Sequence, residues 1–231
     1  MSTEDPPEKN GLEPINRTAL LLGASGLVGG ACLSALLSTP EYSEIRLVTR
    51  RHLGEKVGHD RVREVIVDFD FLETFRDSLA ADDVFCAFGT TMRRAGSRER
   101  FRRIDLEYPR CIAEMTRLNG ARHFLLVSSK GASPASRSFY LRIKGELESA
   151  LLEMDWPSLT ILRPSMIGGE REESRPMERL GQRLLSFAPA SIRTVPASGI
   201  ALAMVRSALS RTEGTWIIES AEMLSISGGG S

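Results

Sequence analysis

Short apolar runs alternate with longer stretches of helical spacing along most of this chain. TALLLG (18–23) reads as a buried strand, and LVGGACLSALLST after it as an amphipathic helix that Pro40 cuts off. EIRLVTR (44–50), REVIVDF (63–69), DDVFCAFG (82–89), HFLLVSS (123–129) and SLTILRPS (158–165) predict five further strands, the last ended by Pro164. Between them lie the helix-like LETFRDSLA, a long helix over 98–119 stopped by Asn119 and Gly120, and a helix over about 138–154.

Strands that are apolar throughout, alternating with helices, predict an α/β fold: a Rossmann-type doubly wound parallel sheet covered on both faces. Beyond 165 the pattern changes to helices at about 176–188 and 197–210 and a late strand near TWIIES (215–220), read as a small C-terminal lobe. The expected organisation is a disordered leader over 1–16, one domain over 17–224 and a flexible tail over 225–231. The stripe in PMERLGQRLLSFAP (176–189) is expected to pack as a lid on the core.

The first strand hands over to its helix through GASGLVG, which sets Gly23, Gly26 and Gly29 in a GxxGxxG spacing. In that context the loop, with Ser25, Leu27 and Val28, lets a dinucleotide pyrophosphate meet backbone N–H groups and the positive end of a helix. Many such folds carry an acidic residue at the end of the second strand to hold the adenosine ribose; this chain has Thr49, Arg50 and Arg51 there. A guanidinium at that point suits a 2′-phosphate, so NADP(H) is expected to be preferred over NAD(H). Asp68 and Phe69 end the third strand, where an adenine edge would lie. Gly89, Thr90 and Thr91 end the fourth, beside the cofactor's middle.

Tyr140 and Lys144 lie four apart on a predicted helix and so share a face. A nearby ammonium favours a phenolate and draws a tyrosine toward proton-transfer chemistry. Ser128 and Ser129 end the fifth strand and can present a hydroxyl to a carbonyl oxygen.

Together GASGLVG, SS and YLRIK resemble the short-chain dehydrogenase/reductase superfamily in its atypical or extended branch. FGTTMRRAGS, LLVSSKGAS, YLRIKGELE and LRPSMIGGEREESRP are similar, within it, to the Tat-interacting-protein-30-like group of NADP-binding homologues. The resemblance covers about 17–220 and says almost nothing of substrate. It implies that Tyr140 is the acid/base, that Lys144 holds the nicotinamide ribose and tunes Tyr140, and that Ser129, with Ser128 second, orients the substrate carbonyl. It further implies that Pro164, Met166 and Ile167 line the nicotinamide end. Members often carry an asparagine in the helix after the fourth strand; the nearest match here is Asp105, a departure that touches the proton relay.

Composition narrows the alternatives. Thirty basic and thirty acidic residues cancel, which gives no overall electrostatic case for nucleic acid or for an acidic membrane. No window approaches the roughly 18 apolar residues of a membrane span. Six arginines at 93, 94, 98, 100, 102 and 103 form a local basic segment, read as a solvated first turn near an anionic cofactor or substrate. Cys32, Cys86 and Cys111 sit in apolar segments without pairing spacing, which fits a reducing compartment, expected to be the cytoplasm. His52, His59 and His123 show no metal-ligand spacing, and His123 is expected at the surface.

Two function classes follow. One is an NADP(H)-dependent oxidoreductase acting on a small carbonyl or alcohol, as monomer or homodimer. The other is a cofactor-binding regulatory or assembly protein, with sugar-nucleotide epimerase or dehydratase chemistry a subsidiary option.

Overall fold

The computed structural model describes residues 16–168 and 194–228. The leader (1–15 of it), the stripe at 176–189 and residues 229–231 lie outside the described residues. In chain order the elements are β1 (Arg17–Leu22), α1 (Leu27–Leu37), β2 (Tyr42–Thr49), β3 (Val62–Ile66) and β4 (Asp83–Cys86), then α2 (Met92–Ala95) and α3 (Arg98–Arg102). A π-helical turn, Arg103–Glu107, joins α3 to α4 (Tyr108–Leu118). The chain continues with β5 (His123–Val127), α5 (Phe139–Leu152), β6 (Ser158–Arg163), β7 (Met166–Gly168), β8 (Thr194–Pro196), α6 (Ala197–Ser210), β9 (Gly214–Glu219) and α7 (Ser220–Gly228).

Among the described residues the main sheet has seven strands in the order β3-β2-β1-β4-β5-β6-β9. Every pairing is parallel. The order reverses direction between β1 and β4, the switch point at which open α/β sheets bind ligands. Leu22 stands opposite Val48 on one side and Cys86 on the other, so the loops after β1, β2 and β4 open at one edge.

Strand alternation divides the core. Leu20 and Leu22 of β1 face a cluster with Phe101, Ile112, Ile143 and Leu147 from α3, α4 and α5. Ala19 and Leu21 face the other side, against Cys32, Leu36, Ile200 and Met204 of α1 and α6. Each fully buried leucine contributes about 1.5–3 kcal/mol, which is why β1 carries no polar side chain after Thr18.

Several local readings change. The late strand is β9, paired with β6 at the edge of the main sheet, and α6 packs on α1, so this part of the C-terminal region completes the sheet. Residues 225–228 continue α7 instead of starting a tail. The LETFRDSLA region is a tight 3₁₀ segment, Phe69–Leu79, kinked at Phe71. His123 is buried, 4% exposed, because β5 is central and its ring shares a 2.9 Å hydrogen bond with the Thr160 hydroxyl of β6. Burial, with Arg17 nearby, pulls His123 down to about 4.

Among the described residues no helix is long and apolar enough to cross a membrane, and no cluster of metal-ligating side chains occurs.

Candidate functional site

The glycine loop is shaped first by its own packing. Gly23 has φ +88°, and a Cβ there would stand 2.6 Å from the Ala87 carbonyl oxygen beyond β4. A Cβ on Gly29 would stand 1.9 Å from the Gly23 carbonyl oxygen. Gly26 faces outward beside exposed Ser25 and caps α1 without any side-chain hydrogen bond. The first turn of α1, with Leu27 and buried Val28, therefore keeps N–H groups that no capping side chain covers, the arrangement that receives phosphate. The three glycines thus divide the work: Gly23 and Gly29 let strand, loop and helix close on one another, and Gly26 opens that surface outward.

A cavity of about 780 Å³ opens at the carboxyl ends of β2 and β3. Arg50, Asp68 and Phe69 line it, whereas Arg51 is exposed outside its lining. Phe69 stacks on Phe88 with ring centroids 5.2 Å apart and tilts against Tyr108 at 5.1 Å, which makes a firm apolar floor. Asp68 accepts the Asp70 N–H at 3.0 Å and so caps the 3₁₀ segment. Arg100 and Arg103 line the opposite wall. Arg103 is 3.6 Å from Asp70, which also accepts the Tyr108 hydroxyl at 2.8 Å. Arginine density in the sequence marked this segment, but only the fold brings it across from Arg50.

At the end of β4 the reason for a glycine changes. A Cβ on Gly89 would lie 3.1 Å from Asp105 Oδ1 and 3.4 Å from Lys144 Nζ. Its absence leaves room for that pair. Thr90 donates its N–H to Asp105 Oδ2 at 2.8 Å, and Thr91 caps α2 by accepting the Arg94 N–H.

Asp105 and Lys144 are 1% and 5% exposed, with Oδ1 and Nζ 2.9 Å apart. Oδ1 makes no well-directed hydrogen bond, so charge holds this contact more than direction does. Burial pushes the Lys144 ammonium down, but the Asp105 carboxylate, helped by Tyr140, outweighs it and holds the lysine above its ordinary value. Tyr140 is 38% exposed, one helical turn before Lys144, and its ring meets that of Phe101 edge-on with centroids 6.0 Å apart. A Cβ on Gly145 would lie 2.2 Å from the Ser133 backbone carbon, so α5 is pressed onto the loop that follows β5.

Ser128 is 3% exposed and its hydroxyl has no partner among the described residues; Ser129 is half-buried and donates to the Lys130 carbonyl at a long 3.5 Å. The Pro164 carbonyl accepts the Lys130 N–H at 3.0 Å, tying the end of β6 to this loop. Met166 and Ile167 are 54% and 45% exposed in β7.

These features fit a dinucleotide. A glycine loop exposed at Gly26, an uncapped helix start, and the buried hydroxyls of Thr49 and Ser128, unpartnered among the described residues, all occur at the carboxyl ends of the strands.

Residues 19–150 match the NAD dependent epimerase/dehydratase family. The chain is 35% identical over 204 residues to Protein HTATIP2 of Rattus norvegicus, covering 86% of this chain and 84% of that one. It is 39% identical over 158 residues to Protein FMP52, mitochondrial, of Meyerozyma guilliermondii, covering 68% and 67%. Similar solved structures include MoeE5 in complex with UDP-glucose and NAD (TM-score 0.66, 16% identity, 91% and 80% covered). The UDP-glucose 4-epimerase of Thermotoga maritima with UDP-glucose is another (TM-score 0.68, 16% identity, 87% and 76% covered).

The mitochondrial names of several relatives overturn the cytoplasmic expectation. That expectation rested on thiols. Burial pushes Cys32 up to about 12 and Cys86 up to about 11, so both are inert and carry no mark of a particular reducing compartment.

Proposed function

The chain belongs to the NAD dependent epimerase/dehydratase family, and from that premise we propose that it is an NADP(H)-dependent oxidoreductase acting on a small carbonyl or alcohol. The observation that carries this reading is a convergence at one sheet edge. The open α1 start, the cavity holding Arg50 and Phe69, and Tyr140 above the Lys144–Asp105 pair all belong to loops or helices that follow strand ends. In this reading the α1 start holds the pyrophosphate, Phe69 and Asp68 hold the adenine, and Arg50 holds the 2′-phosphate. The bound nicotinamide supplies or accepts a hydride. Tyr140 Oη gives a proton to the substrate oxygen or takes one from it. The Ser128–Ser129 corner orients that oxygen, with Ser129 the nearer to solvent. The names of the relatives support a mitochondrial place of action.

Titration with NADPH and NADH, followed by single-turnover NADPH oxidation against a panel of carbonyl compounds, tests the reading. Tyr140→Phe should lower turnover by about 10²-fold or more, the effect of losing a general acid, with little change in cofactor affinity. Equal turnover in mutant and wild type would remove Tyr140 from the mechanism. A second reading, a dinucleotide-binding regulatory protein, is favoured by the commitment of Lys144 to Asp105. Tight NADPH binding with no turnover in either protein would select it.

A further inference from the structure

We propose that Arg100 is a second specificity-determining residue of the cofactor site: from α3 it binds the same 2′-phosphate that Arg50 binds from the end of β2. This rests on the reading of the cavity as the adenosine end of a dinucleotide site. It adds a ligand from a part of the chain that the glycine-loop pattern does not cover.

The charged side chains lining the cavity are Arg50, Arg100 and Arg103 on one side of the balance and Asp68, Asp70 and Glu99 on the other. Formal charges cancel, so what the cavity binds depends on which groups are already committed. Asp68 accepts the Asp70 N–H at 3.0 Å. Asp70 accepts the Tyr108 hydroxyl at 2.8 Å and lies 3.6 Å from Arg103. Glu99 takes hydrogen bonds from its own N–H and from the Ser97 hydroxyl, which hold its carboxyl below the usual range. Every carboxylate in the lining thus has a partner, and Arg103 has Asp70. Arg50 and Arg100 are exposed and form no ion pair among the described residues.

The local fold decides which arginine of the basic segment reaches this wall. The Ser97 hydroxyl accepts the Arg100 N–H at 3.1 Å and starts α3. Phe101 is fully buried, with its ring centroid 5.7 Å from that of Phe139, which fixes how the helix is turned. Arg98 then lies over the Phe139 ring at 5.3 Å, while Arg100 falls on the cavity side. Two positions apart on one short helix, the two guanidiniums serve different surroundings.

Charge selects the ligand. Two uncommitted guanidiniums lining one cavity repel each other, and an anion that meets both relieves that repulsion. A phosphomonoester carries about −1.5 to −2 charge near neutral pH and three acceptor oxygens, more than one guanidinium balances. Phe69, stacked on Phe88, supplies an apolar floor for a purine in the same cavity. An adenosine bearing a 2′-phosphate joins both chemistries in one molecule.

The test uses the full chain with NADPH and NADH, which differ only by the 2′-phosphate, and reads a dissociation constant for each by calorimetry. Arg100→Gln should weaken NADPH about tenfold and leave NADH unchanged. Arg100→Lys keeps the charge but loses the planar fork, and should recover part of that loss. Arg98→Gln removes the same charge from the same helix and should change neither cofactor, which separates a contact from the general field of the arginine segment. With Arg50→Gln and Arg100→Gln combined, the two cofactors should bind alike.

A loss of NADPH affinity in Arg100→Gln that Arg98→Gln does not share supports the proposal. No loss, an equal loss for NADH, or an equal loss in Arg98→Gln would overturn it. A wild type that does not separate the two cofactors removes the 2′-phosphate reading itself, and the proposal with it. A wild type that separates them, with Arg100→Gln separating them just as well, removes Arg100 alone.

Discussion

A Cβ on Gly29 would lie 1.9 Å from the carbonyl oxygen of Gly23, closer than any packed atoms approach. The third glycine of the motif therefore serves the fold before it serves a ligand. Gly29→Ala should cost about 3 kcal/mol, the upper range of overpacking, and abolish NADPH binding with it. Gly26→Ala, whose Cβ would be 3.2 Å from the same oxygen, should keep the fold and lose affinity alone. Denaturant melts paired with NADPH titrations separate the two, and equal melts for both variants would refute the division.

Arg50 is exposed at the cavity and makes no ion pair among the described residues, so its charge is available to an anion. A charge-assisted bond contributes on the order of 1.5–3 kcal/mol, and tenfold in affinity is about 1.4 kcal/mol. NADPH should bind roughly ten- to hundredfold tighter than NADH, with the gap narrowing as salt rises. Arg50→Glu should invert the order. Dissociation constants for both cofactors in both proteins check this, and a mutant that still prefers NADPH would shift the phosphate to Arg100 or Arg103 across the cavity.

His123 gives a pH dependence with a definite sign. Its folded value, about 4, lies below its ordinary 6.5, so the fold holds the neutral ring and the unfolded chain takes up the proton first. Stability from this group is complete above about 6.5 and is lost as pH falls toward 4, by about 3 kcal/mol in all. Burial raises the Asp83 carboxyl, which acts with the opposite sign in acid, so the histidine's share is read by difference. His123→Gln should flatten the stability profile between those two values; unchanged slopes in denaturant melts across that window would refute the assignment.

Gly145 follows Lys144, and a Cβ on it would meet the Ser133 backbone carbon at 2.2 Å. Gly145→Ala should push α5 off the β5 loop, at a cost of about 1–3 kcal/mol, and weaken NADPH binding by displacing Lys144. A variant with wild-type melting and affinity would show that the loop yields freely.

The parallel sheet was legible because its strands are apolar on both faces and end in turn residues, as TALLLG and HFLLVSS do. The Tyr140–Lys144 relation was legible because a helical period depends only on spacing along the chain. The short pairing of β7 with β8 was not, since three residues carry no period. Nor was the burial of His123, because a polar residue at a strand start reads the same at a sheet's edge or its centre.

The sequence by itself determined the order of strands and helices, the glycine loop at the first strand's end and the absence of a carboxylate beside Arg50. These are local matters of period, turn chemistry and residue type. Only the tertiary structure decided which charges meet. Asp105 and Lys144 lie 39 positions apart on different helical segments, and Gly89, from a third place in the chain, leaves the space in which they pair. Arg50 and Arg100 face one cavity for the same reason. Charge interaction depends on distance and burial, and both are set by how the sheet's two faces are covered.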